Sequence, residues 1–121
     1  MTSDQKALVT ATVSTAHPMY PPLKCGSLLH GQHPSVGEQK GLVLLDKAGQ
    51  KIIFKTFQAG ETMPTHHHDA GDVLVAVLAG RLTITQEATS VDVAAGDYVI
   101  FPAGAPHSLA CLEAARILIY R

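Results

Sequence analysis

The sequence lacks tryptophan and has few cysteines, few aromatic residues and almost no net charge. Its 121 residues include 2 Cys, 5% aromatic residues, and 9 Lys and Arg against 10 Asp and Glu, which gives a formal net charge of -1. A chain without a basic excess has no face suited to nucleic acid or to an anionic membrane, so we expect neither as the main partner. Two cysteines without Cys-x-x-Cys spacing favour a reducing compartment.

Long apolar segments are also missing. The longest apolar run, Val73 to Ala79, is too short to span a bilayer. The N-terminal sequence MTSDQKALVTATV has no long apolar core after a basic cluster, so it does not predict a secretory signal. We therefore expect a cytoplasmic protein. A hydrophobic fraction of 46% with 16% charged residues is typical of a globular domain of this length.

Helical periodicity is nearly absent, and short β-rich runs take its place. Their Val, Ile, Thr, Tyr and Phe content favours strands, and turn residues such as Gly80 and Gly96 separate them. Regular short strands of this kind predict an all-β sandwich or barrel. The runs are LVTATV, LVLLD, KIIFKTF, DVLVAVLAG, RLTITQ, SVDVA, DYVIF and ARILIY.

Two of these runs indicate where the core lies. In RLTITQ, Leu82 and Ile84 should face one side of a strand and the intervening threonines the other. The run DVLVAVLA is apolar at every position after its aspartate, which predicts a central strand covered on both faces.

Three consecutive histidines precede that central run. If THHH is a strand, His66 and His68 point to one face and His67 to the other. Residues two apart on a strand lie about 6.5–7 Å from each other, and two imidazoles at that spacing can converge on one ion with bonds of roughly 2.1 Å. The spacing therefore favours His66 and His68 as metal ligands and disfavours His67.

Two ligands hold a first-row metal poorly, so a third should come from a neighbouring strand. His107, which follows the Pro/Gly-rich loop FPAGAP, is the best candidate, and Asp72 is a candidate fourth ligand. Each has a structural alternative: His107 could be a hydrogen-bonded, partly buried histidine, and Asp72 a turn residue that caps a backbone N–H.

The spacing of these residues resembles the two motifs of the cupin superfamily. Gly60, five residues, His66, one residue, His68 and later Gly80 are similar to the first motif, G-x5-H-x-H-x(3,4)-E-x6-G. Gly96, five residues, Pro102, one residue, Gly104, two residues and His107 are similar to the second, G-x5-P-x-G-x2-H-x3-N. The resemblance covers about Ile52 to Cys111 and implies a single-domain cupin β-barrel, also called a double-stranded β-helix or jelly roll.

Two positions depart from the family pattern. The glutamate position falls on Val73, with Asp72 one residue earlier, and the asparagine position falls on Cys111. The resemblance thus implies metal ligation by three histidines, either alone or together with Asp72 if the backbone bulges near Gly71.

The resemblance also divides the chain. We expect residues 41–121 to form the cupin barrel and residues 1–40 to be an N-terminal extension, with a strand near Ala7 to Val13 and a second one near Leu23 to Leu29. Small cupins commonly pair as dimers, so we expect a homodimer in which the strand ALVTATV of the extension pairs with the sheet edge of the partner.

The resemblance implies two classes of function. The first is a metal-dependent enzyme, dioxygenase-like, that acts on a small organic anion with Fe, Mn, Ni, Zn or Cu at an open site. The second is a non-catalytic module that binds or senses a small ligand. Met63, Val75, Val77 and Cys111 are expected as apolar cavity walls. A metal-free isomerase would need a histidine paired with a residue such as Tyr98, and no spacing places them together.

Overall fold

The computed structural model describes residues 19–30 and 41–121, which belong to separate compact units. The predicted strand Ala7 to Val13 lies outside these residues. The boundary between residues 40 and 41 stays a prediction.

The stretch of residues 19–30 contains a turn and no strand, so the predicted strand near Leu23 to Leu29 is wrong. Gly26 lies inside the predicted segment and weakens a strand there, and a turn begins at residue 28. The turn at its end is closed locally, because the backbone N–H of His30 donates to Ser27 Oγ at 3.1 Å.

Residues 41–121 form seven strands, which confirms the all-β prediction. No helix in the described ranges has the length and apolar character needed to cross a membrane. The strands are β1 (Leu42–Lys47), β2 (Gln50–Phe57), β3 (Thr62–His66), β4 (Val73–Gln86), β5 (Thr89–Ala94), β6 (Tyr98–Phe101) and β7 (His107–Tyr120).

All strand pairs are antiparallel, and two long strands organise the sheet. The order is β1-β2-β7-β4-β5, with β3 also paired to β7 and β6 also paired to β4. Strand β7 therefore pairs with β2 along its second half and with β3 along its first half, while β4 runs beside it throughout. The start of β7, at His107, is thereby placed beside the end of β3, at His66.

The core lies on one face of β4 and β7. Val73, Val75 and Val77 are buried and alternate with half-buried neighbours, and Leu82 and Ile84 are buried while the adjacent threonines are not. The predicted alternation in RLTITQ is confirmed. The prediction for DVLVAVLA is confirmed in its central position between β7 and β6, but only one of its faces is fully covered.

Gly80 does not end a strand as the sequence predicted. The runs DVLVAVLAG and RLTITQ join into the single strand β4, and the ladder to β7 shifts register on both sides of Gly80. Gly80 has φ of 80°, and an added Cβ would collide with the backbone of Ala114 and lie 2.6 Å from the Cα of Ala115. The glycine is needed because a β-bulge and a close strand approach meet there. Gly96 does lie in a turn, as predicted, with φ of 95°.

Candidate metal centre

The three histidines nominated from the sequence meet at one end of the sheet. His66 is the β-ladder partner of His107, so the last residue of β3 and the first of β7 present neighbouring rings. The ring centroids of His66 and His107 lie 4.4 Å apart, and those of His68 lie 5.3 Å from His66 and 6.0 Å from His107. Strand β3 ends at His66, so His68 joins the group from the segment that follows the strand.

One ring nitrogen from each of these histidines lies within 4.8 Å of the other two. Nitrogens bound to one ion at about 2.1 Å lie roughly 3–4 Å apart, so small side-chain rotations close the group around a metal. His67 points away, as predicted, and its Nε2 lies 3.6 Å from the Asp69 carboxylate on the exposed side.

The ring of His107 is fixed on two sides. Its Nδ1 lies 3.0 Å from the carbonyl oxygen of Ala105, and the ring stacks on Phe101 with centroids 3.8 Å apart and planes within 7°. A carbonyl oxygen only accepts hydrogen bonds, so Nδ1 carries the proton and the lone pair is left on Nε2. Burial lowers the pKa of His107, and the charges of His66 and His67 act in the same direction, against the opposing effect of the Ala105 hydrogen bond.

His66 has the same tautomer for the same reason. Its Nδ1 donates to the carbonyl oxygen of Pro64 at 2.9 Å, which leaves the Nε2 lone pair available. Metal-binding histidines in proteins are typically oriented by such a hydrogen bond from the second ring nitrogen. The donor set of His66 and His107 therefore suits a divalent metal.

His68 differs from the other two histidines. Its Nδ1 lies 3.1 Å from Nη1 of Arg121, and because a guanidinium only donates, Nδ1 must be the acceptor. In the neutral ring the proton is then on Nε2. Burial lowers the pKa of His68, and the charge of Arg121 lowers it further, followed by those of the neighbouring histidines.

The structure does not bring Asp72 into the histidine group, and its role as a fourth ligand stays a prediction. Its exposed carboxylate accepts a hydrogen bond from the backbone N–H of Ala103 at 3.0 Å, and the N–H of Gly104 donates to the carbonyl of His68 at 2.7 Å. Asp72 thus caps a backbone N–H, the alternative role that the sequence offered for it. Its hydrogen bond to Ala103 fixes the loop that precedes His107. Val73, at the family's glutamate position, is buried.

An apolar cavity of about 40 Å³ lies against the three histidines. Met63 and Val75 line it as predicted, but Val77 and Cys111 do not and belong to the buried core. Burial raises the pKa of the Cys111 thiol, and its Sγ donates to the Glu113 carbonyl at 3.0 Å, so Cys111 is an inert core residue and not a nucleophile. The other lining residues are His66, His68, His107, Val73, Ile84, Phe101, Ser108, Leu109, Ile117 and Ile119.

A wider cavity of about 380 Å³ opens on the outer side of His66 and His68. Lys55 and Arg121 line it, and the sequence did not nominate either residue. The signal was present for Arg121, since its even spacing from His107 places it on the same face of β7 if that strand is continuous.

These features define a small antiparallel β-barrel protein with a three-histidine centre at one end. The profile of the Cupin domain family matches residues 53–120, more than half of the chain, and the chain belongs to this family. Among proteins with curated descriptions, none matches the chain.

Several solved structures share the fold. A cupin-like protein of the RmlC type from Desulfovibrio desulfuricans is 22% identical, with a TM-score of 0.69 over 81% of this chain and 94% of that one. A cupin-2 domain protein from Shewanella frigidimarina is 20% identical, with a TM-score of 0.62 over 77% and 84%. The cupin domain of Cnp3 from Schizosaccharomyces pombe is 19% identical, with a TM-score of 0.71 over 83% and 73%. At these identities the similarity establishes the fold.

Proposed function

We propose that the protein binds a divalent metal through His66, His68 and His107 and acts as a dioxygenase-like enzyme on a small organic anion. The observation that supports this proposal most directly is the convergence of three imidazole nitrogens within 4.8 Å of one another. The donor set suits Fe, Mn, Ni, Zn or Cu.

The charge of the site favours an anionic ligand. Three neutral imidazoles leave the full +2 charge of a bound ion uncompensated, and the buried Val73 supplies no carboxylate. A bound metal of this kind supplies Lewis-acid character and attracts anionic or chelating oxygens. The apolar inner wall, including Met63 and Val75, excludes water from the same space.

One observation favours the second candidate, a module that binds a small ligand without chemistry. The described residues that line the inner cavity include no carboxylate and no tyrosine, so a general base is missing from that wall. Tyr98 does not supply one, because it is 66% exposed on β6.

Metal content tests the centre itself. In protein purified without chelator, we expect about one equivalent of metal in the wild type, and His107→Ala should lose most of it. His67→Ala is the matched control and should keep it, since His67 lies outside the group. Equal occupancy in both variants, with both folded by circular dichroism, would rule out His107 as a ligand.

Turnover separates the two candidates. Oxygen consumption by the metal-loaded wild type with a panel of small carboxylic acids would support the enzyme, whereas ligand binding without turnover across the panel would support the binding module. The homodimer and the cytoplasmic location remain predictions from the sequence.

A further inference from the structure

Two cationic side chains line the outer cavity beside the histidine centre. Lys55 and Arg121 share this space of about 380 Å³ with His66, His68 and apolar residues, and no described lining residue is acidic. Neither cation forms an ion pair among the described residues. The described lining of this cavity therefore holds two positive charges and no acidic side chain.

The fold fixes both cations on one side of the sheet. Lys51 and Arg121 exchange two backbone hydrogen bonds, of 2.6 and 2.9 Å, which extend the ladder between β2 and β7 beyond Tyr120. Side chains alternate along β2, so Lys51, Ile53 and Lys55 lie on one face of this strand. Ile53 also lines the cavity. Partial burial lowers the pKa of Lys55, and the nearby charge of Arg121 lowers it further.

The hydrogen bond from Arg121 to His68 Nδ1 is incompatible with a metal on His68. If the metal takes the Nδ1 lone pair, the guanidinium loses its acceptor. If it takes Nε2, the neutral ring must carry its proton on Nδ1, which then cannot accept from an arginine. On either nitrogen, metal binding detaches Arg121 from His68.

From these contacts we propose that Arg121, released from His68 by the metal, joins Lys55 to bind a second anionic group of the ligand, and that the ligand class is therefore small dicarboxylates. This inference rests on the proposed metal centre. One carboxylate occupies the metal, and the other makes charge-assisted hydrogen bonds with Arg121 and Lys55. Because Arg121 lies directly against the ring of His68, a short spacer between the two carboxylates suffices.

The charge requirement is tested with succinate and its monomethyl ester, which differ by one anionic group. With Zn²⁺-loaded wild type, isothermal titration calorimetry should show succinate binding about tenfold or more tighter than the ester. Arg121→Met should remove most of this difference, and Lys55→Met should reduce it. Arg81→Met, which deletes a guanidinium that pairs with Asp92 and Glu113 outside the cavity, should leave it unchanged.

Metal affinity without any organic ligand supplies the second readout. Arg121→Met should bind Zn²⁺ severalfold tighter than the wild type, because His68 is no longer engaged and a nearby positive charge is gone. Arg121→Met would then strengthen metal binding while weakening succinate binding. A merely destabilised variant would weaken both.

The outcomes separate this inference from the proposed function. If Zn²⁺ binds in a His107-dependent way but succinate and its ester bind equally, the metal centre stands and the dicarboxylate inference is overturned. If His107→Ala leaves Zn²⁺ binding unchanged, the proposed function itself fails. Unchanged Zn²⁺ affinity in Arg121→Met would overturn the competition between Arg121 and the metal for His68.

Discussion

At the scale of single residues, the three histidines have different hydrogen-bond partners and hence different proton positions. Backbone carbonyls hold His66 and His107 with Nε2 free, while Arg121 holds His68 with Nδ1 as the acceptor. Two ligands are therefore oriented for a metal in advance, and the third must release an arginine. This asymmetry could not be predicted from the sequence, because Arg121 is 53 residues from His68 along the chain.

The lowered pKa values of His68 and His107 predict how the metal-free protein responds to acid. The ordinary histidine pKa is 6.5, and both values are lowered on folding, mainly by burial. The unfolded chain therefore takes up protons at these sites more readily than the folded one. Stability should fall as the pH drops from about 6.5 through the folded pKa values.

Urea unfolding of metal-free protein between pH 7.5 and pH 5.5 measures this effect. The urea concentration at the midpoint of unfolding should decrease as the pH is lowered, and the decrease should be smaller in His107→Gln. A midpoint that stays constant over this interval would contradict the lowered pKa values. Protons compete with a metal for the imidazole nitrogens, so we also expect metal occupancy to fall below about pH 6.5, the ordinary histidine pKa. The lowered pKa values of His68 and His107 move this loss of metal further towards acid.

Asp72 offers a second test at this scale, because its carboxylate caps Ala103 and lies outside the histidine group. Asp72→Asn keeps an acceptor oxygen, so both stability and metal content should stay near those of the wild type. Asp72→Ala should cost about 1 kcal/mol of unfolding free energy through the lost hydrogen bond to Ala103, with metal content unchanged. Loss of metal in Asp72→Asn would show that the carboxylate is a ligand after all.

At the scale of elements, sequence patterns located strands well and their ends poorly. The runs LVLLD, KIIFKTF, SVDVA and DYVIF correspond to β1, β2, β5 and β6. The two long strands were missed as continuous units, because a glycine inside β4 has the same local signal whether it makes a turn or a bulge. Strand β7 begins at His107, well before the predicted run ARILIY, because its first half is stabilised by pairing with β3 and β4 and not by its own composition.

The bulge at Gly80 should be the most sensitive backbone position in β4. Gly80→Ala introduces both a strained positive φ and a collision with β7, and we expect a loss of about 3 kcal/mol or more in unfolding free energy. Gly49→Ala is the matched control, since Gly49 has φ of 78° but open space around its Cα. Gly49→Ala should cost only the strain, about 1 kcal/mol. Equal losses of unfolding free energy in the two variants, measured by chemical denaturation, would show that the collision with Ala114 and Ala115 does not destabilise Gly80→Ala.

At the scale of the whole molecule, the sequence predicted the fold class and the three histidines that the structure places together, but not the environment of the site. The histidine and glycine spacings can be recognised in a single sequence because local strand and turn geometry requires them. Lys55 reaches the cavity only through the pairing of β2 with β7, a long-range contact with no local signature, whereas the even spacing of Arg121 from His107 is visible in the sequence. Even spacing from His107 also placed Cys111 on the cavity wall, although this residue packs in the core.

The metal centre should stabilise the whole domain, because its ligands come from two distant parts of the chain. His66 ends β3, His68 follows it and His107 begins β7, so an ion bound to all three holds these elements together only in the folded state. Free metal at a concentration one hundred times its dissociation constant raises the free energy of unfolding by about 2.7 kcal/mol. This increase raises the melting temperature by on the order of 10 °C. Differential scanning fluorimetry with Zn²⁺ should show this rise in the wild type and in His67→Ala. His107→Ala should show little of it, and an equal rise in all three proteins would place the stabilising ion somewhere other than the histidine centre.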